Sequence, residues 1–230
     1  MYSTFLQRAY DQVLHDAALS GTKLVLGVDR AGIVGGDGET HQGLFDVPLL
    51  CGIPGVTVLC PASFDELRTA LEQALYQYEG VVAVRYPRGG EPACFRGVDR
   101  MHEPVSVLRE PAGKTLALVS YGRETADALD ACALLSEYGP ALYKLNRVSP
   151  LPDGLHSLLR EYRYVVAVEE SMRAGGVGER LAALLSDTPA VVKTVAVDGF
   201  VEHGAPALLR ARLGLDGPGI AGFCMRECKL

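Results

Sequence analysis

The sequence predicts an α/β protein built from two three-layer α/β/α units with mainly parallel sheets, the first unit truncated at its N-terminus. Short β-branched runs alternate with longer amphipathic helical patterns, and a stretch rich in Gly, Pro and charge interrupts this alternation at 88–113. Strand–helix alternation implies parallel strands joined by right-handed crossovers. At 230 residues, 48% of them apolar, the chain can bury one large core or two small ones.

The first unit is predicted to contain three strands and two helices. Its strands are KLVLGVD, VTVLCPA and VVAVRYP, which are apolar enough to be buried on both faces (23–29, 56–62 and 81–87). The helix at 63–79 opens with the capping-box spacing of Ser63 and Glu66, and a helix at 4–19 stops at Gly21. Because so few strands make a small sheet, we expect this unit to be only part of a larger domain.

The second unit repeats the alternation over a longer stretch. Its predicted strands lie at 115–122, 141–148, 164–170 and 191–197, and its predicted helices at 124–138, 154–162, 175–187 and 205–215. We therefore divide the chain into a first domain at 1–95, a linker at 96–113 and a second domain at 114–230.

Composition and charge exclude several classes of function. The net charge is −6 and no basic stripe carries interleaved aromatics, which argues against nucleic acid. No apolar run reaches about 18 residues, so we expect no membrane span. The N-terminus lacks the layout of a signal peptide, and the cysteines have no zinc spacing, so we expect a cytoplasmic protein with reduced thiols. Cys224 and Cys228 are expected to lie in a mobile end.

The stretch DRAGIVGGDGETHQGLFD, at 29–46, concentrates groups that bind ligands. It fits neither a dinucleotide fingerprint nor a phosphate-binding P-loop, since no clear helix follows it and no G-K-[ST] is present. It could be an Asp/Gly turn with an incidental His. It could bind a metal through four side chains, which would be Asp37, Glu39, His41 and Asp46. It could instead be a loop that contacts substrate at the carboxyl edge of the sheet, where open α/β folds bind ligands.

A second loop at the same edge favours the substrate interpretation. The strand at 81–87 ends in RYPRGG, which places Arg85 and Arg88 beside the loop at 29–46. An Arg next to two glycines can clamp an anion through two parallel hydrogen bonds. Alone, Arg88 would be interpreted as a surface residue after a Pro turn.

Together these segments resemble a known family. YSTFLQRAYDQ, DRAGIVGGDGETHQGLFD and AVRYPRGG resemble the pyrimidine-binding domain of the 1-deoxy-D-xylulose-5-phosphate synthases, which are transketolase-like thiamine-diphosphate enzymes. The later segments VEES, GGVGE and DGFVEHG are similar to the transketolase C-terminal domain that follows it. The resemblance implies synthesis of 1-deoxy-D-xylulose 5-phosphate and CO₂ from pyruvate and glyceraldehyde 3-phosphate, a step toward isoprenoid precursors, thiamine and pyridoxal.

The resemblance also implies roles for residues of the first domain. Arg30 and Arg88 would hold the acceptor phosphate with help from Tyr2, and Asp37 and His41 would be catalytic groups that bond the acceptor hydroxyl and carbonyl. The cofactor would be bound by two residues of the first helix that share a face. These two are Phe5, packed on the aminopyrimidine ring, and Arg8, which orders the site from the next turn.

The family binds the diphosphate and Mg²⁺ through a GDG followed by an Asn in a domain that this sequence does not contain. GDG at 36–38 is not that site, because Asn146 is the only asparagine in the chain. The complete enzyme would use thiamine diphosphate and Mg²⁺, whereas this chain alone is expected to bind neither cofactor nor metal and to be inactive. It could be a piece of the longer enzyme, a subunit completed by a separate N-terminal chain, or a non-catalytic scaffold. We expect a homodimer that acts on small molecules.

Overall fold

The computed structural model describes all 230 residues and contains two β-sheets flanked by helices. In chain order the strands are β1 (Leu24–Val28), β2 (Thr57–Leu59), β3 (Val81–Arg85), β4 (Val105–Arg109), β5 (Leu116–Tyr121), β6 (Ala141–Leu145), β7 (Arg147–Ser149), β8 (Tyr164–Met172) and β9 (Val191–Val197). The first sheet has the order β1-β3-β2-β7 and the second the order β4-β6-β5-β8-β9. Both sheets are mainly parallel, as predicted; only β7 and β4, each at a sheet edge, run antiparallel to their neighbours.

The α-helices cover these sheets. They are α1 (Ser3–Leu6), α2 (Asp46–Cys51), α3 (Phe64–Tyr76), α4 (Thr125–Leu134), α5 (Leu155–Leu159), α6 (Val177–Leu184), α7 (Pro206–Leu213) and α8 (Gly217–Glu227). The Ser63 hydroxyl caps α3 by accepting from the backbone N–H of Glu66, as the capping-box spacing predicts. The two carboxylate oxygens of the buried Glu169 accept backbone N–H groups at the start of α6. The N-terminus of this helix is therefore occupied by a carboxylate of the protein itself.

Three predicted elements differ from the observed ones. The helix expected at 4–19 is α1 followed by a 3₁₀ turn at Gln7–Ala9 and a π-helix at Gln12–Leu19. The strand expected at 141–148 breaks into β6 and β7, because the buried side chain of Asn146 bonds the Glu103 carbonyl at 2.7 Å and the chain then crosses to the first sheet. The stretch assigned to a linker at 96–113 contains β4, which pairs with β6.

The chain end is a packed helix, whereas the sequence suggested a mobile end. Residues 217–227 form α8, which packs on α4 and buries both Cys224 and Cys228. The sequence Gly-Pro-Gly at its start resembles a turn, but Pro218 suits the first turn of a helix and Asp216 caps it through the Gly219 N–H at 2.9 Å. All six cysteines are free thiols.

A buried polar contact joins the two sheets beneath the loop at 29–46. The Arg85 guanidinium lies 3.0 Å from the Asp46 carboxylate, and its Nη2 donates to the Glu170 carbonyl at 2.9 Å. One apolar cluster contains side chains from both sheets, including Val81, Val119 and Val165. The loop after β1 is thus held against the second sheet by charge and by packing. None of the helices combines the length and the apolar character needed to cross a bilayer.

Candidate active site

The loop at 29–46 is closed at its base by two glycines. Gly32 and Gly43 exchange backbone hydrogen bonds of 2.7 Å in each direction. A Cβ at Gly43 would lie 2.2 Å from the Arg30 carbonyl, so only glycine allows this approach. Within the loop the Gln42 side chain accepts the Val34 N–H at 2.9 Å and donates to the Glu202 carbonyl. The Gln42 side chain therefore links the loop to the second unit.

Arg30 enters this loop with a strained backbone. Its φ of 59° is in the left-handed region, which costs a residue other than glycine about 1–3 kcal/mol. This conformation sets the guanidinium 4.7 Å from the centre of the Tyr2 ring, within cation–π distance, while Nη1 bonds the adjacent Asp29 at 2.5 Å. The observed strain accompanies a side chain aimed at the cluster around Tyr2.

Three side chains converge on the carboxylate of Asp37. The Tyr2 hydroxyl donates to Oδ2 at 2.7 Å and Arg88 Nη1 donates to Oδ1 at 2.5 Å. Arg30 Nε lies 3.5 Å from Oδ2. The structure thus brings the two predicted phosphate-binding arginines to a single carboxylate, and they are close enough to share one anion.

These contacts change the titration of the cluster. The hydrogen bond from Tyr2, together with Arg88, lowers the pKa of Asp37, so the carboxylate stays ionised. Burial and the bond to Asp37 raise the pKa of the Tyr2 phenol to about 12. Tyr2 is therefore a neutral hydrogen-bond donor at physiological pH.

An aromatic surface lies next to this charged group. The ring centres of Tyr2 and Phe5 are 5.2 Å apart, and His41 meets Tyr2 edge-on at 5.2 Å and Phe5 at 6.0 Å. Phe5 is 53% exposed although it is a large apolar side chain. An exposed ring beside other aromatics can stack on a flat heterocycle, so this surface fits the pyrimidine ring of thiamine diphosphate.

The structure places the other predicted residues as follows. Thr40 Oγ1 lies 2.7 Å from Nδ1 of His41, which orients the imidazole and leaves Nε2 without a protein partner. Arg8 is exposed in the 3₁₀ turn and makes no hydrogen bond or ion pair with the cluster. Six of the seven predicted residues therefore come together through direct contacts, and the role of Arg8 stays a prediction.

The residues considered for a metal or a diphosphate are engaged elsewhere. Asp46 is buried against Arg85, Asp37 is bound by Tyr2 and Arg88, and no group of three or more His, Cys, Asp or Glu side chains is arranged to hold a metal. Asn146 is buried and donates to the Glu103 carbonyl and the Ser106 hydroxyl, not to any group of GDG 36–38. The aromatic surface of Tyr2, Phe5 and His41 fits a flat cofactor ring.

Sequence reasoning missed the buried support beneath the site. Ser3 donates to Asp46 at 3.1 Å, which links the start of the chain to the Arg85 ion pair, and Tyr121 donates to Glu169 at 2.9 Å. The only signal was an Arg at the end of an apolar strand, because a cation there needs a buried partner. Nothing in the sequence identifies Asp46 as that partner.

Comparison with known proteins shows the family to which the chain is similar. Residues 1–91 match the family described as transketolase, pyrimidine binding domain, and residues 105–220 match transketolase, C-terminal domain. The 1-deoxy-D-xylulose-5-phosphate synthase of Dehalococcoides mccartyi is 39% identical over 231 residues, and that of Desulforudis audaxviator is 40% identical over 226. These alignments cover 96% and 94% of this chain, and 35% of each relative.

A solved structure gives the same result for the fold. The protein described as "split gene transketolase, inactive beta4 tetramer" superposes with a TM-score of 0.86 at 26% identity, over 100% of this chain and 75% of that one. Against the synthase relatives, the chain spans about a third of the length of each protein. It resembles the pyrimidine-binding and C-terminal domains of the transketolase family.

Proposed function

Because the chain belongs to the transketolase family, we propose that it forms the pyrimidine-binding and acceptor-binding portion of a thiamine-diphosphate-dependent transferase. The reaction would be that of its synthase relatives, in which pyruvate and glyceraldehyde 3-phosphate give 1-deoxy-D-xylulose 5-phosphate and CO₂. The observation that carries this proposal is the convergence of Arg30 and Arg88 on one carboxylate beside the exposed ring of Phe5. The two arginines would bind the phosphate of the acceptor, and the exposed ring of Phe5 would stack on the flat ring of the cofactor.

The clamp is suited to a phosphate dianion. Two guanidinium groups offer parallel N–H donors, and bidentate pairs of this kind are the strong ones in proteins. Asp37 occupies the clamp in the structure, so the acceptor phosphate would displace its carboxylate from Arg88. The released Asp37 would then accept a hydrogen bond from an acceptor hydroxyl, and Tyr2 would donate to the phosphate.

His41 is the group positioned to move a proton. Its Nε2 has no protein partner and its ring borders Tyr2 and Phe5, so it can bond the acceptor carbonyl oxygen when a substrate is present. Phe5 would hold the pyrimidine ring of the cofactor, and Arg8 would order the site from the next turn. Bound thiamine diphosphate supplies the nucleophilic carbon that a keto-acid decarboxylation requires.

The remaining part of the active site would come from a second polypeptide or a further domain. No group of three or more His, Cys, Asp or Glu side chains is arranged to hold Mg²⁺, and a separate chain is consistent with the similarity to a split-gene transketolase. We propose that the chain alone is inactive, that it forms a homodimer, and that it works in the cytoplasm, where its six free thiols would stay reduced.

Complementation tests this proposal. The chain is mixed with a separately purified N-terminal, diphosphate-binding portion of a synthase relative, and CO₂ release from pyruvate and glyceraldehyde 3-phosphate is measured. We expect activity only in the mixture, and we expect Phe5→Ala to lose most of it while the exposed Phe200→Ala keeps it. A folded mixture that forms a complex and binds thiamine diphosphate, yet consumes neither substrate, would refute the proposed reaction.

Calorimetry of the isolated chain tests the division of the cofactor site. Because the chain fits only the pyrimidine ring, we expect no heat on titration with thiamine diphosphate and Mg²⁺. Micromolar affinity, about −8 kcal/mol, would contradict the assignment of the diphosphate to other residues.

A further inference from the structure

The end of β8 contacts both ends of the loop at 29–46. At the beginning of the loop, a Cβ at Gly32 would lie 2.2 Å from Glu170 Oε2, so the carboxylate packs directly on one of the two glycines that close the loop. At its end, the Leu44 carbonyl accepts the Ser171 hydroxyl at 3.1 Å. Two consecutive residues of the second unit therefore hold the loop that carries the predicted acceptor-binding groups.

Glu170 joins the loop through its side chain and through its backbone. The side chain is only 4% exposed, and the backbone N–H of Ile33 points to its carboxylate and favours the ionised form. The Glu170 carbonyl accepts Arg85 Nη2 at 2.9 Å, and Arg85 in turn lies 3.0 Å from the carboxylate of Asp46, where the loop ends. No other residue of the second unit makes polar contacts of this kind toward both ends of the loop.

The charges around Glu170 favour its ionised form. Burial raises its pKa, and the three guanidinium groups of Arg123, Arg210 and Arg85 oppose this effect. The buried carboxyl group of Glu124 lies nearby and makes no hydrogen bond. Burial, together with the charge of Glu170, raises the pKa of Glu124 well above its usual value. Glu124 therefore holds the proton of this pair, and Glu170 carries the charge.

We propose that Glu170 is a positioning residue for the acceptor site, where its ionised carboxylate holds the closed base of the loop at 29–46 and thereby places Asp37 between its two arginines. A charged acceptor bonds a backbone N–H more strongly than a neutral one, so it fixes the loop more firmly. The second unit would then set the geometry of a site whose side chains all belong to the first. The consequence for the acceptor rests on the proposed function, whereas the positioning is measured on the isolated chain.

Hydrogen exchange of the isolated chain, followed by NMR, tests the hold on the loop. Glu170→Gln keeps the size of the side chain and removes its charge. We expect the amides of Gly32 and Gly43, which bond each other's carbonyls, to exchange about tenfold faster, because a charge-assisted hydrogen bond at the loop base is weakened. Amides at the centre of β5 should keep their native protection. An equal acceleration in β5 would mean a general loss of stability and would overturn the positioning role.

The titration of Asp37 tests whether the change reaches the site. The hydrogen bond from Tyr2, together with Arg88, lowers the pKa of Asp37 in the native chain. If Glu170→Gln loosens the loop, these contacts weaken, and the midpoint from carbon-13 NMR should rise toward the ordinary value of about 3.9. A uniform loss of stability does not change the pKa of a group in the folded state, so this measurement separates positioning from simple structural support.

Glu124→Gln is the matched control. It makes the same substitution at the neighbouring buried carboxyl group, which is already neutral and bonds nothing in the loop, so loop exchange and the Asp37 midpoint should stay native. If Glu170→Gln does not fold, Ser171→Ala takes its place. That variant removes only the hydroxyl bond to the Leu44 carbonyl and should also speed exchange at the loop base.

The complemented enzyme tests the consequence for the acceptor. Glu170→Gln should raise KM for glyceraldehyde 3-phosphate about tenfold and leave KM for pyruvate nearly unchanged. Native loop exchange with a native Asp37 midpoint in Glu170→Gln would overturn the proposal, as would the same changes in Glu124→Gln. If the mixture with the native chain has no activity, the proposed function fails, and the two measurements on the isolated chain still decide the role of Glu170.

Discussion

Asp37 is the residue on which the charges of the site converge, and its ionisation is the first quantity to test. Its pKa is lowered, so the clamp contributes stability above the ordinary carboxyl pKa of about 3.9 and loses it as the pH falls through the lowered value. Tyr2→Phe removes the hydroxyl that donates to Oδ2 and should raise the pKa of Asp37. Carbon-13 NMR of the carboxyl groups measures it. The exposed Tyr76→Phe is the control, and an unchanged midpoint in Tyr2→Phe would contradict the assigned cause.

The Arg85–Asp46 pair makes a second prediction for single residues. Asp46 is fully buried, so Asp46→Ala leaves the buried Arg85 without its counter-ion and should lower the free energy of unfolding by about 3–5 kcal/mol. Asp65→Ala breaks an exposed pair with Arg68 and should change it by less than about 1 kcal/mol. Urea denaturation of both variants measures the difference. Equal losses would show that burial of the pair does not matter.

Site residues could be predicted from the sequence where several of them lie close together along the chain. Arg30, Asp37 and His41 occur in one glycine-rich stretch, and Arg88 follows a strand that ends at the same edge, so parallel-sheet geometry alone brings them together. Asp46 lies beside Arg85, and Glu170 beside Arg210, only because of tertiary packing. The spacing of these residues in the sequence does not predict either pair. Arg8 is assigned to the site through its spacing from Phe5; it lies in a 3₁₀ turn, where residues three apart still share a face, and its role stays a prediction.

Among the elements, helix α3 offers a direct test of capping. The Ser63 hydroxyl accepts the Glu66 N–H at 3.0 Å and donates to the Val98 carbonyl at 2.6 Å. Ser63→Ala should therefore destabilise the protein by about 1–2 kcal/mol. Ser186→Ala, at an exposed hydroxyl that bonds only the Ala183 carbonyl, should have a much smaller effect. Thermal unfolding compares the two variants, and a Tm of Ser63→Ala equal to that of Ser186→Ala would contradict the capping role.

Elements with long apolar runs were predictable, and short edge strands were not. The apolar runs gave β3, β5 and β8 because these central parallel strands are buried on both faces. β1 was predicted from the same pattern, but it lies at a sheet edge and is only partly buried. β4 and β7 are short antiparallel edge strands beside Pro and charged residues, where local sequence resembles a loop. α2 and α8 begin near Pro or Gly, so their helical character depends on packing against β8 and α4.

For the molecule as a whole, we expect self-association. The β1 edge of the first sheet is paired only near its end, where Met1 and Ser3 bond Asp29, and the large apolar side chains of Met1 and Phe5 are about half exposed nearby. Unpaired edges and exposed apolar side chains recruit partners. Light scattering at micromolar concentration should report a dimer. A monodisperse species near 24.6 kDa would mean that this surface stays free in solution.

The central claim for the whole molecule is that this chain carries the site for the acceptor phosphate. In the complemented enzyme, kcat/KM is measured for glyceraldehyde 3-phosphate and for unphosphorylated glyceraldehyde, with native chain and with Arg88→Gln. We predict that the native chain prefers the phosphorylated acceptor by at least about 100-fold, and that Arg88→Gln reduces the preference tenfold or more while KM for pyruvate changes little. Arg226→Gln should keep the native ratio. A preference that is unchanged in Arg88→Gln, in an enzyme that still turns over, would contradict the account.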